Sequence, residues 1–239
     1  LASQSLDPWL DQIALPLENA PRFGRDDYMV GASNEAALAW CDRWPDWPAP
    51  VIVLVGPPGA GKSHLLTIWQ QQSGAENLPV EKLAPDLIAE IGGREQPPLL
   101  AIDQADRIVG DPVAEEGLFH LFNHVRAEGG SMLLTAAQQP ARWGLALPDL
   151  ESRLKASPVI TLAAPDDAMM AALLVKQLAD RQLIVGQEVV DYLLARVERS
   201  YAAIRDLVAA LDQLSLAKHR RITVPLAREI LNEQDQSLF

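Results

Sequence analysis

The chain has 239 residues, 49% of them apolar and 22% charged, the balance of a globular protein with room for a sizeable core. No apolar run approaches the roughly 20 residues that a bilayer span requires, and the start of the chain lacks the cationic and apolar blocks of a signal peptide, so a cytoplasmic protein without membrane contact is expected. The net charge of −12 argues against unaided nucleic-acid binding, which needs a basic patch. The single cysteine, Cys41, leaves no partner for an internal disulfide.

In chain order, residues 1–20 carry Pro8 and Pro16 among mixed polar residues with little periodicity, the pattern of a tail. A helix is expected from Gly31, with Ser33 or Asn34 as its cap and Ala36, Ala37, Leu38, Trp40 and Cys41 as its apolar content. Pro45, Pro48 and Pro50 then break the chain. Val51-Ile52-Val53-Leu54-Val55 is a continuous, largely β-branched run, which predicts a buried parallel strand. A glycine-rich loop and a helix through His64–Trp69 follow. Val80 marks a short strand and Leu83–Ile91 a short helix, and Leu99–Asp103 is a second buried strand ending in an acid. Glu115–Arg126 reads as an amphipathic helix, and Ser131–Thr135 and Pro158–Leu162 as two more strands.

After Leu162 strands give way to helices. Asp166–Ala179 and Gln187–Val197 are the first two, and Tyr201–Lys218 carries Ile204, Leu207, Val208, Leu211 and Leu214 at helical spacing. Thr223 caps a last helix with Pro225 in its first turn. The expected organisation is a tail (1–20), an α/β domain with a five-stranded parallel sheet flanked by helices (21–163), and a small all-helical lid (164–239).

The strongest chemical signal is Gly56-Pro57-Pro58-Gly59-Ala60-Gly61-Lys62-Ser63, a complete phosphate-binding loop between a buried strand and a helix. Its glycines let backbone N–H groups turn towards an anion, and the helix N-terminus adds a favourable partial charge. Lys62 supplies a cation for the β- and γ-phosphates of ADP or ATP, and the Ser63 hydroxyl is placed for Mg²⁺. Asp103, ending the second strand, is a candidate to hold Mg²⁺ through water. The next residue is Gln104, which hydrogen-bonds water but takes no proton from it, so slow hydrolysis by the chain itself is expected. Lys218-His219-Arg220-Arg221 reads as a solvated helix end. His120 and His124, one helical turn apart with no further ligand spaced to complete a metal site, read as one face of an amphipathic helix.

The strand–GPPGAGKSHLL–helix stretch, preceded by Val30-Gly31-Ala32-Ser33-Asn34, resembles the AAA+ domain of the DnaA replication initiators and, still more, the short Hda-type regulators related to them. Gly117-Leu118-Phe119 with Leu121-Phe122-Asn123, Leu147–Leu154, Ile204-Arg205-Asp206-Leu207 and Ile222-Thr223-Val224-Pro225 extend the likeness over nearly the whole chain. The resemblance implies nucleotide contacts from Val30 and His64 as well as from the loop. It implies that Arg153 is an arginine finger reaching a nucleotide on a neighbouring subunit, and that Arg205 reaches from the lid to the chain's own phosphates. At the family's polar sensor position after the fourth strand this chain has Ala137, with Gln138 beside it, which favours a stable ADP state over a cycling motor. In the tail, Gln12-Ile13-Ala14-Leu15-Pro16-Leu17 resembles the hexapeptide with which bacterial proteins dock on the DNA polymerase III sliding clamp: Gln12 would sit at a pocket rim, Ile13, Leu15 and Leu17 supply apolar groups, and Pro16 keeps the peptide extended.

The resemblance therefore implies a protein that holds ADP, meets the clamp and ATP-bound DnaA, and speeds hydrolysis on DnaA through Arg153. It implies no helix-turn-helix DNA-binding domain in this chain, and self-association stays open. Two rival readings remain: an ATP-hydrolysing helicase loader like DnaC, and an adaptor whose nucleotide only stabilises the fold.

Overall fold

A computed structural model describes residues 24–25, 28–92, 95–218 and 221–236. Five parallel strands form one sheet in the order β2-β3-β4-β1-β5: β1 (Val51–Val55), β2 (Glu76–Asn77), β3 (Leu99–Ile102), β4 (Ser131–Ala136) and β5 (Val159–Thr161). β1 is flanked on both sides, with Val55 level with Ala136 of β4 and Thr161 of β5. All five of its residues are buried, as a central strand covered on both faces requires.

The alternation of side chains along β1 divides the core in two. Val51, Val53 and Val55 pack with α3 (Leu87–Ile91), α4 (Pro112–Ala127) and α5 (Pro148–Ala156) on one face. Ile52 and Leu54 pack with α1 (Glu35–Asp42) and α2 (Lys62–Ser73) on the other, around the fully buried Trp69. The helix that follows the glycine loop and the helix that carries Arg153 therefore lie on opposite faces of the sheet.

A third core belongs to the helices after β5: α6 (Asp167–Asp180), α7 (Gln187–Leu194), α8 (Tyr201–Lys218) and α9 (Val224–Gln236). Asp166 starts this bundle by capping α6, its Oδ1 accepting the Met169 N–H at 2.7 Å. Leu174, Val189, Leu193, Ile204, Leu207 and Leu211 fill its centre. The bundle meets the α/β part at Gly31, where a Cβ would lie 2.3 Å from Met169, at Gly59, whose C=O accepts the Tyr201 N–H at 3.0 Å, and at Asn34, which bonds the Tyr201 hydroxyl.

Several local expectations shift. The edge strand is Glu76–Asn77, paired with Leu100 and Ala101, and Val80 sits instead in a 3₁₀ turn (Val80–Lys82) that follows Pro79 and points it into the core. The short helix begins at Leu87 rather than Leu83, because Pro85 disfavours helical geometry at Ala84. α4 starts earlier, at Pro112, because the Asp111 carboxylate caps it. Asn34 precedes α1, but its side chain is turned back to accept from Gly31 N–H instead of capping the helix. Arg153 lies within α5. Among the described residues no helix is long and apolar enough to cross a membrane.

Candidate functional site

The loop Gly56–Ser63 leaves the C-terminal end of β1 at the point where β1 lies between β4 and β5, the position at which open α/β sheets take ligands. Gly59 and Gly61 have φ of 72° and 91°, left-handed values that favour glycine. Gly61 is the N-cap of α2 and offers no side chain to bond the first amides of that helix. Those amides therefore face the inside of the loop, a cradle suited to an anion. Lys62 Nζ donates to the carbonyls of Gly56 and Pro57 at 2.7 and 2.9 Å, which holds the ammonium inside the curve of the loop. Burial pushes the Lys62 pKa below its ordinary value, and the charges of Asp103 and Asp106 pull it back up.

Below the loop the ends of β3 and β4 converge on it. Ser63 Oγ donates to Asp103 Oδ2 at 2.7 Å. The other carboxylate oxygen of Asp103 accepts from the Thr135 hydroxyl, and that hydroxyl accepts the Gln104 N–H at 2.9 Å. Thr135 is fully buried, so this hydroxyl serves two partners with no water competing. Gln104 takes a left-handed conformation, φ 54°, that bends the chain into the 3₁₀ turn Ala105–Ile108. Asp106 on that turn accepts the Ala137 N–H at 2.7 Å. The oxygens of Ser63 and Asp103 thus lie side by side, hard donors that could serve a divalent cation alongside phosphate oxygens. Among the described residues no group of three or more His, Cys, Asp or Glu gathers as a metal site of its own.

The lid closes the loop from above. A Cβ on Gly59 would lie 2.2 Å from Ser200 Cβ, and one on Gly61 would lie 3.6 Å from both Tyr28 and Tyr201. Tyr201 is tied to the segment before α1 by Asn34, whose Nδ2 donates to the Tyr201 hydroxyl at 3.1 Å and to Met29 C=O at 2.8 Å. Burial raises the Tyr201 phenol pKa. Val30, in the same segment, is half exposed. Tyr28 meets the His64 ring edge to face at 5.0 Å, and His64 Nε2 lies 3.1 Å from Gly24 C=O. Arg205 stands one helical turn after Tyr201, which puts it on the same side of α8 as the contact with the loop. Its Nε donates to Asp206 Oδ1 at 2.9 Å.

Arg153 is elsewhere. Its guanidinium lies over the rings of Phe119 and Phe122 of α4, 5.0 and 5.9 Å from their centroids, in cation–π geometry. Gln12–Leu17 lie outside the described residues. His120 faces Glu116 at 3.6 Å on α4. The sequence does not announce the bonds of Thr135 and Asp106, the link from Asn34 to Tyr201, or the seat of Arg153 on Phe119 and Phe122. The polar residue at the end of a strand was the available signal for Thr135, and a second acid three residues after Asp103 was the signal for Asp106.

Residues 166–231 match the protein-family model described as "Hda, lid domain". An uncharacterized protein of Haemophilus influenzae is 28% identical over 193 residues, which are 78% of this chain and 84% of that protein. Domain III of the replication initiation protein DnaA from Thermotoga maritima superposes with a TM-score of 0.76 at 20% identity, over 90% of this chain and 97% of that one. AMPPCP-bound DnaA from Aquifex aeolicus superposes with a TM-score of 0.70 at 18% identity, over 90% of this chain and 71% of that one. Fold and lid agree: this is the AAA+ architecture, an α/β domain followed by a helical lid.

Thr135→Val keeps the shape of the buried side chain but removes the donor to Asp103 and strands the Gln104 N–H. Urea unfolding should report a loss of about 1–3 kcal/mol. An unchanged midpoint would mean that Thr135 does not hold the ends of β3 and β4 together.

Proposed function

We propose that this chain, an AAA+ protein with an Hda-type lid, is a nucleotide-bound regulator that docks on the DNA polymerase sliding clamp and stimulates hydrolysis of the ATP held by DnaA. The observation that carries this reading is the place of Arg153. Its helix packs on the face of the sheet opposite to α2, and its guanidinium lies on an aromatic cradle. An arginine so placed is well suited to a phosphate on a neighbouring molecule, where a guanidinium neutralises charge that develops on the transferred phosphoryl group. Phe119 and Phe122 would then set its direction before the partner arrives, so less side-chain entropy is lost on contact.

The rest of the site supports a resident nucleotide in a regulatory role. The amides of residues 59–63 and the Lys62 ammonium would hold the phosphates of ADP or ATP, with His64 packed near the phosphates, Val30 as a further contact and Arg205 reaching in from the lid. Ser63 would ligate Mg²⁺, and Asp103 would hold it through water; when bound, the ion neutralises phosphate charge. Gln104 stands where a second acid would orient attacking water, and it is turned into a left-handed bend whose amide is bonded to Thr135. That arrangement favours slow turnover at this chain's own site. Because the start of α8 rests on Gly59, the nucleotide would also govern the angle between lid and sheet. The clamp contact rests on the likeness of Gln12–Leu17 to the docking hexapeptide, an extended segment whose leucines fill apolar pockets.

Arg153→Ala should bind nucleotide and clamp as the native chain does, while the rate of ATP hydrolysis on clamp-associated DnaA falls on the order of a thousandfold towards its unstimulated value. Full stimulation by this variant would sink the trans role. In a pull-down with purified clamp, a double variant, Gln12→Ala with Leu15→Ala, should lose the interaction yet keep its nucleotide. Undiminished capture would take the tail motif out of the account.

A further inference from the structure

We propose that Asp106 is the residue that makes this site prefer a nucleoside diphosphate to a triphosphate. The inference rests on the reading that Gly56–Ser63 holds a nucleotide. A phosphate chain lying along that loop runs from the lid side towards Lys62 and Ser63, and its third phosphoryl group would extend towards the ends of β3 and β4. Those two ends are joined at three points: Thr135 to Asp103, Thr135 to the Gln104 amide, and Asp106 to the Ala137 amide at 2.7 Å.

The third joint has consequences for charge. The Ala137 N–H is the first donor beyond β4 and is exposed, so it is the kind of group that would bind a γ-phosphate oxygen. Asp106 takes that donor for itself. It also leaves a half-buried carboxylate beside the place where a triphosphate carries its extra negative charge. Asp103 and Asp106 are the two carboxylates whose charges bear on Lys62, so part of that cation's field is already answered within the protein. The charge of Asp103, a candidate Mg²⁺ ligand, would be offset by the ion when bound, whereas Asp106 is bonded to the backbone amide of Ala137. A like charge at several ångströms in a half-buried site weakens triphosphate binding by about tenfold or more, and it touches a diphosphate far less because the distance is greater.

The alternative is that Asp106 only anchors the turn, and substitutions that separate charge from shape decide between the two. Asp106→Asn keeps an oxygen for the Ala137 amide and loses the charge, Asp106→Ser loses the charge and, one bond shorter, the reach to that amide, and Asp106→Glu keeps the charge. Isothermal titration of the full chain with Mg-ADP and with the Mg complex of a non-hydrolysable ATP analogue gives the ratio of the two affinities, with thermal melting as the check on folding. The native chain should bind ADP more tightly. In the Asn and Ser variants the ratio should narrow by about tenfold, mainly through tighter binding of the analogue, while Glu retains the native ratio and melting temperatures stay close together. A ratio unmoved in the Asn and Ser variants would overturn the role of Asp106. A native chain that binds neither nucleotide would overturn the phosphate-loop reading as well.

Discussion

Three side chains at the C-terminal edge of the sheet hold the functional end of this molecule together. Ser63 at the start of α2 donates to Asp103 at the end of β3, and Asp103 accepts from Thr135 in β4, so one carboxylate links three segments that are distant in sequence. The arrangement depends on β3 lying beside β4 and β4 beside β1, and the sheet order supplies that. It also explains the bend at Gln104. With its amide bonded to Thr135 and its φ positive, this residue turns the chain away from the strand and presents Asp106 to Ala137. The ends of β3 and β4 are therefore fixed relative to one another, with the amides of Gln104 and Ala137 already bonded within the protein.

The second constraint is the seat of the lid. Gly59 has no room for a side chain because Ser200 lies against it, and its carbonyl takes the first amide of α8. Asn34 fastens the same end of α8 to the segment before α1 through the Tyr201 hydroxyl. Loop, lid and the segment around Val30 thus meet at one point, and a ligand in the loop would touch all three. The α6–α9 bundle has its own close-packed core, so a small change there would be carried outward by the bundle as a whole. Arg153 stands apart from this junction on the other face of the sheet, held by Phe119 and Phe122. The phosphate-type loop with its lid and the Arg153 surface therefore occupy separate parts of the molecule.

Much of this could be read from the sequence because the signals are local. The run Val51–Val55 followed at once by the glycine loop fixes a strand, a turn and a helix within a few residues, and the helices after Leu162 announce themselves by period. What was missed depends on contacts between segments far apart. Glu115 enters the sequence reading only as the first residue of an amphipathic helix, yet it is 1% exposed because its carboxylate accepts from the amides of Gly110 and Leu147. Thr135 reads as one more β-branched strand residue until β3 is laid beside it. Asp106 reads as a turn residue until the end of β4 is in place. Val80 carried strand propensity that Pro79 and the two-residue edge pairing at Glu76–Asn77 overrode.

Whether the loop 56–63 cradles a nucleotide is decided by equilibrium binding of Mg-ADP to the full chain and to Lys62→Ala. A nucleotide cradle there gives saturable, stoichiometric binding by the native chain and loses it when the ammonium is removed. Equal binding by the two proteins, or none by the native chain, would contradict it.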